Sequence, residues 1–572
     1  METNKFVKTK PQLGSDVSNN TEEAKTWLDS VSPSMCLAKW FHVSLHLTNG
    51  RTSSCYHPPT HKIDRERIKD NPKALHNTKL KKKERKKMLQ GKRPEGCRYC
   101  WDIEDAPHAP PGGHRSDRHY RSGEHWAAPY RERTLNLPWD YDFNPTYVEV
   151  NFNQACNFKC SYCSPHLSSE WQKEIEKFGP YPTTVSHNNI ASLTAQGLMP
   201  IRGGRAQNPY VEAFWKWWPE MYRHLHVFRM TGGEPLLDVN TFRVLEYVAS
   251  HPKGDLEISI TSNLCPPDDR LLDRLIESLK KIQDYRCEVF VLEKALPNEP
   301  NREKWPRFVI DKDKVLDDTL RRFGLEDLPS VSSDEVRAFY DFTSRTKVDA
   351  SNPNHVYRLV DAKACKHFSL FVSLDAWGPR AEYIRYGMRF DKLLNNIKRV
   401  LLETHFSSVT LINTFNLLSV TSFPEFLKGV LELRKYVNSF KASEGQGGLS
   451  HLYWRRQRIW FDVPLLRYPD WQSVQNLPRE FESFLIQAIE FMEENHVSKL
   501  GDLVGFNDFE IEKVRRNLAW MRLGSGLPKS ELRRRKRDFR LFFSEHDRRR
   551  GTSLVGTFPE LEQFWNECGK EL

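Results

Sequence analysis

The chain lacks any run of about eighteen apolar residues, so nothing in it predicts a helix that spans a membrane. Its opening segment, METNKFVKTKPQLG, lacks the apolar core of a secretory signal peptide. No RRM, KH or zinc-finger pattern of the common nucleic-acid-binding modules is present. The spacing of the 11 cysteines is that of metal ligands and not that of a disulfide-rich secreted protein, which favours a reducing compartment. These absences predict a cytoplasmic protein that does not enter a membrane.

Length and composition indicate a large folded protein with more than one part. A chain of 572 residues exceeds one ordinary domain. A hydrophobic content of 38% and an aromatic content of 12% support a large core. The charged content of 28% and the mean hydropathy of -0.66 indicate a well-solvated surface. We expect an intracellular enzyme built from several segments.

Three cysteines stand close together in the segment NFNQACNFKCSYCSP: Cys156, Cys160 and Cys163. They form a C-x3-C-x2-C triplet directly after a strand-like run at 147–153. Three thiolates can hold three irons of a 4Fe-4S cube, which leaves one iron open to a ligand from outside the protein. The spacing alone also fits part of a zinc site that takes a fourth ligand from elsewhere.

The triplet, with aromatic Tyr162 before its last cysteine, resembles the cluster loop of the radical S-adenosylmethionine (SAM) enzymes. The resemblance implies that Cys156, Cys160 and Cys163 hold a 4Fe-4S cluster whose open iron binds SAM. It also implies that one electron from the cluster cleaves SAM to methionine and a 5′-deoxyadenosyl radical.

A glycine-rich segment, TGGEPLL at 231–237, follows a second strand-like run at 224–230 and is similar to another motif of that family. The similarity implies that Gly232 and Gly233 let backbone approach the methionine part of SAM and that Glu234 takes its ammonium group. Read from the residues alone, Gly-Gly-Glu-Pro is an ordinary strand-to-helix turn.

Strand-like and helical stretches alternate through the middle of the chain. Helical stretches at 241–249, 268–280 and 392–404 separate mostly apolar runs, which predicts an α/β fold with a mainly parallel sheet and helices outside it. Six such strands match the partial (β/α)6, TIM-like barrel that the resemblance implies. The six predicted strands are 147–153, 224–230, 256–261, 368–374, 409–414 and 459–466.

Polar residues lie at the ends of the third and fourth of these strands. The resemblance implies that Asn263, Ser373 and Asp375 contact SAM, and Arg385 resembles an arginine that reaches the SAM carboxylate. Asn263 and Asp375 also fit as helix caps or turn formers, and Arg385 as a surface helix residue.

Four cysteines outside the ligand-like sets are scattered, and small apolar packing residues are the default interpretation. Cys265 lies two residues after Asn263 at a strand end, and the resemblance offers for it a second interpretation, a cysteine that faces the cavity and donates a hydrogen atom to a product radical. The other three are Cys287, Cys365 and Cys568.

A second cysteine set precedes the first: Cys36, Cys55, Cys97 and Cys100. The pattern C-x13-G-x4-C with C-x2-C, and the run MLQGKRPEGCRYCWDIE followed by Ser116, Asp117 and Arg118, resemble the auxiliary-cluster region called SPASM or its shorter twitch form. The resemblance implies a second 4Fe-4S cluster, although here the region precedes the barrel whereas it usually follows. A structural zinc held by four cysteines is the alternative.

Basic residues are in excess, with a net charge of +11 and a pI near 9.0. They cluster at 79–87, 533–537 and 548–550. Such runs favour polyanions by counterion release, so nucleic acid is a possible partner. The default interpretation is a solvated face, with the first run on an exposed helix.

These features predict four segments. An N-terminal extension covers 1–35, a SPASM/twitch-like auxiliary domain covers 36–135, and a radical SAM core covers 136–470, with insertions at about 170–222 and 284–363. A C-terminal helical region covers 471–572, and its last part, SEHDRRRGTSLVGTFPELEQFW, resembles the tail of other twitch-containing members.

The predicted function is radical SAM chemistry that abstracts hydrogen from a substrate. Because SPASM and twitch members often modify peptides, the resemblance implies a peptide or protein substrate, and an electron donor such as a flavodoxin or ferredoxin. One alternative is the same chemistry on a sugar, a nucleotide or RNA. Another is a non-enzymatic, zinc-containing nucleic-acid-binding protein.

Overall fold

The described part of the chain is rich in both strands and helices. The computed structural model describes residues 16–106, 114–201, 208–283, 288–294, 335–340, 344–349, 355–361, 364–404, 407–439 and 457–572. The strands, in chain order, are β1 (His42–His46), β2 (Arg51–Ser53), β3 (His61–Lys62), β4 (Tyr147–Asn151), β5 (Lys159–Cys160), β6 (Val227–Thr231), β7 (Lys253–Ser262), β8 (Glu288–Lys294), β9 (Glu335–Tyr340), β10 (Ser344–Asp349), β11 (His355–Asp361), β12 (Cys365–Ser373), β13 (Arg385–Tyr386), β14 (Ser407–Ile412) and β15 (Ile459–Asp462).

The helices are distributed over the whole described chain. The α-helices are α1 (Asp16–Val31), α2 (Ala38–Phe41), α3 (Arg67–Asp70), α4 (Lys79–Leu89), α5 (Arg98–Glu104), α6 (Asp117–Gly123), α7 (Arg133–Asn136), α8 (Ser169–Phe178), α9 (Ile190–Ala195), α10 (Pro209–His224), α11 (Val239–Ser250), α12 (Asp269–Gln283), α13 (Pro379–Ile384), α14 (Phe390–Glu403), α15 (Phe423–Ser439), α16 (Glu482–Glu494), α17 (Val497–Leu500), α18 (Asp508–Arg522), α19 (Lys529–Arg550), α20 (Leu554–Thr557) and α21 (Glu562–Gly569). Short 3-10 turns include Glu95–Cys97, Pro235–Leu237 and Asp470–Gln472.

The chain divides into two compact units. The first unit comprises Met1–Phe152 and Pro200–Arg229, and the second comprises Asn153–Met199 and Met230–Leu572. In the described ranges, no helix combines the length and the apolar character needed to cross a membrane.

The first unit contains a small mixed sheet. β1 pairs in parallel with β4 and antiparallel with β2, which pairs antiparallel with β3. Between β1 and β2 the chain turns at Asn49 and Gly50, where Gly50 has a φ of +66° that glycine adopts without strain. Its core contains the buried aromatic side chains Trp40, Phe41 and Trp126.

The basic run 79–87 forms α4 of the first unit, and four of its lysines are exposed, as predicted: Lys79, Lys83, Lys86 and Lys87. The prediction of an exposed helix is wrong for its other face, which is buried. Thr78 caps the helix, since its hydroxyl accepts a hydrogen bond from the Lys81 N–H at 3.2 Å. Lys81 and Arg85 are buried because each has polar partners inside the unit. Lys81 Nζ lies 2.8 Å from His76 Nδ1, and Arg85 donates to Asn77 Oδ1 at 3.0 Å.

The second unit contains a parallel sheet with the strand order β15-β14-β12-β7. Helix α14 packs on β14, and α15 packs on β15. Each of the six predicted strand runs overlaps an observed strand, and the three predicted helices correspond to α11, α12 and α14. The prediction of a mixed α/β fold with a mostly parallel sheet is therefore confirmed.

The predicted insertion at 284–363 contains two antiparallel strand pairs among its described residues. β8 pairs with β11, and Glu288 lies opposite Asp361. β9 pairs with β10, and Glu335 lies opposite Asp349. Cys287 lies outside the described residues.

The C-terminal segment is helical, as predicted, but the interpretation of its basic runs as solvated faces is wrong for several residues. Arg550 is buried against Glu174, and Arg549 donates to the Gly179 carbonyl at 2.9 Å. Arg534 pairs with Asp470. The guanidinium groups of Arg549 and Arg550 face the protein interior, where each meets a carboxylate or a backbone carbonyl, whereas that of Arg534 is partly exposed. Arg548 remains largely exposed and pairs with Glu545 on its own helix.

Candidate functional site

The cysteine triplet lies on a loop of the second unit that α8 holds in place. Ser169 exchanges two hydrogen bonds of 3.1 Å with the Cys156 backbone, and Trp171 Nε1 donates to the Cys160 carbonyl at 2.9 Å. The Cys163 N–H donates to the Cys160 carbonyl at 2.9 Å, which closes a tight turn between the last two cysteines. The start of α8 thus fixes the backbone of the segment that carries all three thiols.

The three thiols influence one another electrostatically. Burial raises the pKa of each, to about 12 for Cys163, and repulsion by Cys160 raises the pKa of Cys156 further. The thiols are therefore protonated at neutral pH, and a metal that binds them must displace protons.

The Gly-Gly-Glu segment packs against the chain just before Cys156. The Gly233 N–H donates to the Asn153 carbonyl at 3.3 Å, and the Glu234 N–H donates to the Ala155 carbonyl at 2.6 Å. Gly232 has a φ of +133°, a conformation that favours glycine. The two motifs, which are distant in sequence, are thus joined by backbone hydrogen bonds.

The Glu234 carboxylate is directed at the end of β7. It accepts hydrogen bonds from the Leu236 N–H at 3.0 Å, the Ser262 hydroxyl at 2.7 Å and the Asn263 N–H at 2.7 Å. Burial raises its pKa, and these three donors partly oppose that effect. The predicted contact with the SAM ammonium stays a prediction; the observed carboxylate ties the glycine-rich turn to the neighbouring strand end.

Asn263 also links two segments of the site. Its side chain donates to Asn157 Oδ1 at 2.9 Å and accepts from the Cys265 N–H at 2.9 Å. Asn157 belongs to the cysteine loop and donates to the Cys265 carbonyl at 2.8 Å. Cys265 is buried, and burial raises the pKa of its thiol to about 11, so it carries its proton at neutral pH.

Asp375 and Arg385 form a buried ion pair beside the cysteine loop. Their charged atoms approach to 2.8 Å, and Tyr162 donates its phenol hydrogen to Asp375 at 2.8 Å. Arg385 also donates to Cys160 Sγ at 3.5 Å and to the Tyr162 oxygen. Arg385 is therefore no surface helix residue, and its predicted contact with the SAM carboxylate stays a prediction. Ser373 ends β12 opposite Ile412 of β14.

The sequence did not predict a network of charged groups around Lys159 of the cysteine loop. Arg550 donates to the Lys159 carbonyl at 2.7 Å and pairs with Glu174, which also binds Lys159 Nζ at 2.7 Å. The Ser161 hydroxyl donates to Gln472 Oε1 at 2.9 Å, and the Gln472 amide donates back to the Ser161 carbonyl at 3.1 Å.

The second cysteine set lies entirely in the first unit and lines one cavity. Cys36 precedes α2, Cys55 follows β2, Cys97 ends the turn Glu95–Cys97, and Cys100 lies in α5. Burial raises the pKa of Cys36, as do its three neighbouring thiols, and burial raises that of Cys100 to about 11. The cavity wall also includes Lys39, His57, Trp101, Asp117, Arg118 and Arg121.

The cations at this cavity are paired with carboxylates. Lys39 is 2% exposed and lies 2.7 Å from Glu84. Burial alone would lower the pKa of Lys39, but the neighbouring Cys97 and Glu84 outweigh it and raise the pKa. Arg118 pairs with Glu104 at 2.7 Å.

Both cysteine sets fit a metal by donor chemistry, since thiolate is the preferred ligand of iron-sulfur clusters and of structural zinc. Across the described ranges, no group of three or more His, Cys, Asp or Glu side chains already has the arrangement of a metal site.

Comparison with known proteins gives a match over the first cysteine set and the glycine-rich motif. Residues 150–285 match the family described as the radical SAM superfamily. The chain is similar to a GTP 3',8-cyclase of Trichodesmium erythraeum (strain IMS101), with 26% identity over 117 residues. That similarity covers 20% of this chain, which spans only 27% of the length of this curated relative. No solved structure matches the chain.

The matched range contains Cys156, Cys160, Cys163, Gly232, Gly233 and Glu234. Within it, backbone hydrogen bonds join Gly233 and Glu234 to the segment just before Cys156. The family match, over residues 150–285, and the relative's name support an enzyme of the radical SAM type.

Proposed function

We propose that the protein cleaves SAM reductively and uses the resulting 5′-deoxyadenosyl radical to abstract a hydrogen atom from a substrate. The observation that carries the proposal is the packing of the three-cysteine loop on the Gly-Gly-Glu turn, within a range that matches the radical SAM superfamily. A 4Fe-4S cluster held by Cys156, Cys160 and Cys163 would supply the electron and an open iron for SAM.

The protein's own residues would position SAM and keep the site dry. Gly232 and Gly233 present backbone without side chains, and Glu234 holds their turn against β7. Asn263, Ser373, Asp375 and Arg385 remain the proposed contacts for the rest of SAM, and Cys265 the proposed hydrogen donor. We also propose that the α/β fold is a partial (β/α)6 barrel, and the parallel strand order β15-β14-β12-β7 supports this.

Residues 36–135, which lie in the first unit, are proposed to be a SPASM/twitch-like auxiliary domain. Cys36, Cys55, Cys97 and Cys100 would hold a second 4Fe-4S cluster, with structural zinc as the alternative. The support is that all four thiols line one cavity. A cluster with four thiolate ligands has no open iron, so it would conduct electrons or stabilise the fold.

A peptide or protein stays the proposed substrate, by resemblance to SPASM and twitch members. A nucleotide is the second candidate, because the curated relative is named for its action on GTP. A flavodoxin or ferredoxin is the proposed electron donor, and the cytoplasm is the proposed location. Substrate-stimulated 5′-deoxyadenosine formation, measured with GTP and with peptide mixtures, separates the two substrate classes.

Metal and product analysis tests the proposal. The full-length protein would be reconstituted anaerobically beside two variants, one with Cys156, Cys160 and Cys163 changed to alanine and one with Cys36, Cys55, Cys97 and Cys100 changed. Two cubanes hold about eight irons and one holds about four. We expect each variant to hold about four, and only the first to lose 5′-deoxyadenosine formation on reduction with SAM.

Two other outcomes have distinct meanings. Four irons and one zinc in the parent would replace the second cluster by the zinc alternative and leave the chemistry intact. Zinc without iron or nucleoside product would overturn the enzyme and favour the nucleic-acid-binding alternative. Circular dichroism of both variants would exclude misfolding as the cause of metal loss.

A further inference from the structure

Cys160 and Arg385 are held opposite each other by a short strand pairing. In the antiparallel pair of β5 and β13, Arg385 is the direct partner of Cys160, and Tyr386 is the partner of Lys159. The Ser161 N–H donates to the Ile384 carbonyl at 2.8 Å, which extends the pairing. Backbone hydrogen bonds therefore fix the position of the Arg385 backbone relative to Cys160.

The guanidinium group of Arg385 reaches the sulfur itself. One of its terminal nitrogens donates to Cys160 Sγ at 3.5 Å. The other donates to Asp375 Oδ1 at 3.1 Å and to the Tyr162 oxygen. Arg385 is 5% exposed and Asp375 is fully buried, so water competes little for these donors.

The Asp375–Arg385 ion pair sets the charge near Cys160 Sγ. Asp375 lies 2.8 Å from Arg385 and offsets much of its charge. Asp375 is itself fixed by hydrogen bonds from the Tyr162 hydroxyl and the Thr414 N–H, each at 2.8 Å. Arg550, which also acts electrostatically on Cys160, is bound to Glu174 and to the Lys159 carbonyl. The Arg385 N–H that donates to Cys160 Sγ is thus held in one orientation by the contacts of Asp375.

Hydrogen bonds to cluster sulfurs and the charge near them set the reduction potential of an iron-sulfur cluster. Reduction adds a negative charge to the cluster and its ligands. An N–H donor strengthens its bond to the more negative ligand, so it stabilises the reduced state. The effect is larger in a buried site, where the local dielectric is low.

We propose that Arg385, oriented by Asp375 and Tyr162, donates a hydrogen bond to the Cys160 ligand and raises the reduction potential of the cluster bound by Cys156, Cys160 and Cys163. Arg385 is in this respect a positioning residue that acts through a cluster ligand. The inference rests on the proposed function, because it requires a cluster at these cysteines. It makes electron delivery to that cluster depend on an ion pair that lies outside the triplet.

A contact between Arg385 and the SAM carboxylate makes a different prediction. A residue whose effect is confined to SAM changes SAM affinity and leaves the potential of the SAM-free cluster unaltered. The inference concerns the SAM-free cluster, so the two roles are separable by one measurement.

The test is a redox titration of the full-length reconstituted protein without SAM, monitored by electron paramagnetic resonance. The relevant signal is the one absent from the variant that lacks Cys156, Cys160 and Cys163. For Arg385→Gln, we expect the ratio of reduced to oxidised cluster at fixed potential to fall about tenfold, which equals about 59 mV for one electron. Arg385→Lys keeps a cation and should lie between this variant and the parent.

A variant expected to raise the ratio of reduced to oxidised cluster provides the second part of the test. Asp375→Asn leaves the Arg385 charge without its partner, so the same ratio should rise. Arg380→Gln is the matched control, since Arg380 lies on α13 just before Arg385 and pairs with Glu560 at 2.9 Å. Its ratio should equal that of the parent.

The outcomes separate the inference from the proposed function. If the parent and the triple-cysteine variant hold the same iron, no cluster sits at these cysteines and the proposed function fails. If the cluster is present and neither Arg385→Gln nor Asp375→Asn moves its potential, the inference alone is overturned. If Arg385→Gln loses its iron, the titration uses Tyr162→Phe instead. This variant removes one hydrogen-bond partner of the ion pair and should lower the ratio of reduced to oxidised cluster less than the tenfold expected for Arg385→Gln.

Discussion

Gly233 lies so close to Ala155 that a Cβ atom added at position 233 would stand 2.3 Å from the Ala155 carbonyl oxygen. The nearest atoms belong to backbone, which cannot rotate away as a side chain can. A side chain at 233 must therefore displace the segment that leads into Cys156.

Gly233→Ala should disturb cluster loading. Overpacking of this kind lowers the free energy of unfolding by about 1–3 kcal/mol, and the displaced loop should retain less iron at the cysteine triplet. The measurements are urea unfolding and iron content after reconstitution. Gly526→Ala is the control, because an added Cβ there meets no atom within 4 Å. Equal iron and equal stability in the two variants would show that the loop tolerates the displacement.

Glu234→Gln tests whether the carboxylate acts on the turn, on SAM or on both. The amide of glutamine would face the Asn263 N–H, where the carboxylate now accepts a hydrogen bond of 2.7 Å. Loss of a charge-assisted hydrogen bond should lower the free energy of unfolding by about 1.5–3 kcal/mol without SAM.

SAM affinity provides the second readout for Glu234→Gln. If SAM stabilises Glu234→Gln less than it stabilises the parent, the predicted ammonium contact is supported. If the variant loses the same free energy of unfolding with and without SAM, Glu234 acts on the turn alone. Glu490→Gln, at an exposed position of α16, should change neither quantity. Unchanged stability of Glu234→Gln would contradict the role seen in the structure.

The strands were predictable because their signal is local. Apolar runs separated by helical periodicity located β7, β12, β14 and β15, whose hydrophobic side chains are buried along the strand. The β1–β2 turn also had a local signal, since Asn-Gly between alternating residues favours a hairpin. It was missed because the segment between Cys36 and Cys55 was interpreted only as ligand spacing.

The contacts that organise the cysteine loop carried no such signal. Arg385 and Cys160 are 225 residues apart, and Arg550 and Glu174 are 376 apart. Charge runs in the sequence look alike whether they face solvent or a buried carboxylate. Only the fold determines that Arg550 meets Glu174, so the solvated-face interpretation is wrong for Arg549 and Arg550 and holds for Arg548.

Glu174 should make part of the stability depend on pH. Burial alone would raise its pKa, but Arg550, Lys159 and Tyr181 outweigh that effect and lower it to about 2. A lowered folded-state pKa contributes stability above the ordinary value of 4.5, and that contribution is lost as the pH falls toward 2. At neutral pH it amounts to about 3 kcal/mol.

Unfolding of the parent and of Glu174→Gln between pH 7 and the acid range measures this contribution. The variant should be less stable at neutral pH and should lose less stability below pH 4.5. Glu170→Gln is the control on the same helix, because Glu170 pairs with Lys173 near the surface. Parallel pH profiles for parent and Glu174→Gln would refute the assignment.

Lys39 should stabilise a metal at the auxiliary cysteines. Zinc or a cubane with four thiolates carries net negative charge, and Lys39 lines the same cavity with only 2% of its side chain exposed. Replacement of such an outer partner weakens metal retention by about 10–100-fold. Lys39→Met should therefore release metal to a chelator faster than the parent, measured in the background that lacks Cys156, Cys160 and Cys163.

Two further variants separate the charge of Lys39 from its packing. Glu84→Gln leaves Lys39 in place without its partner at 2.7 Å, so its full charge acts on the thiolates and metal release should slow. Lys82→Met removes a lysine that pairs with Asp142 and does not line the cavity, so release should match the parent. Slower release in Glu84→Gln together with faster release in Lys39→Met requires an electrostatic role, because packing defects would accelerate both. Equal release in all three variants would leave Lys39 as a partner of Glu84 alone.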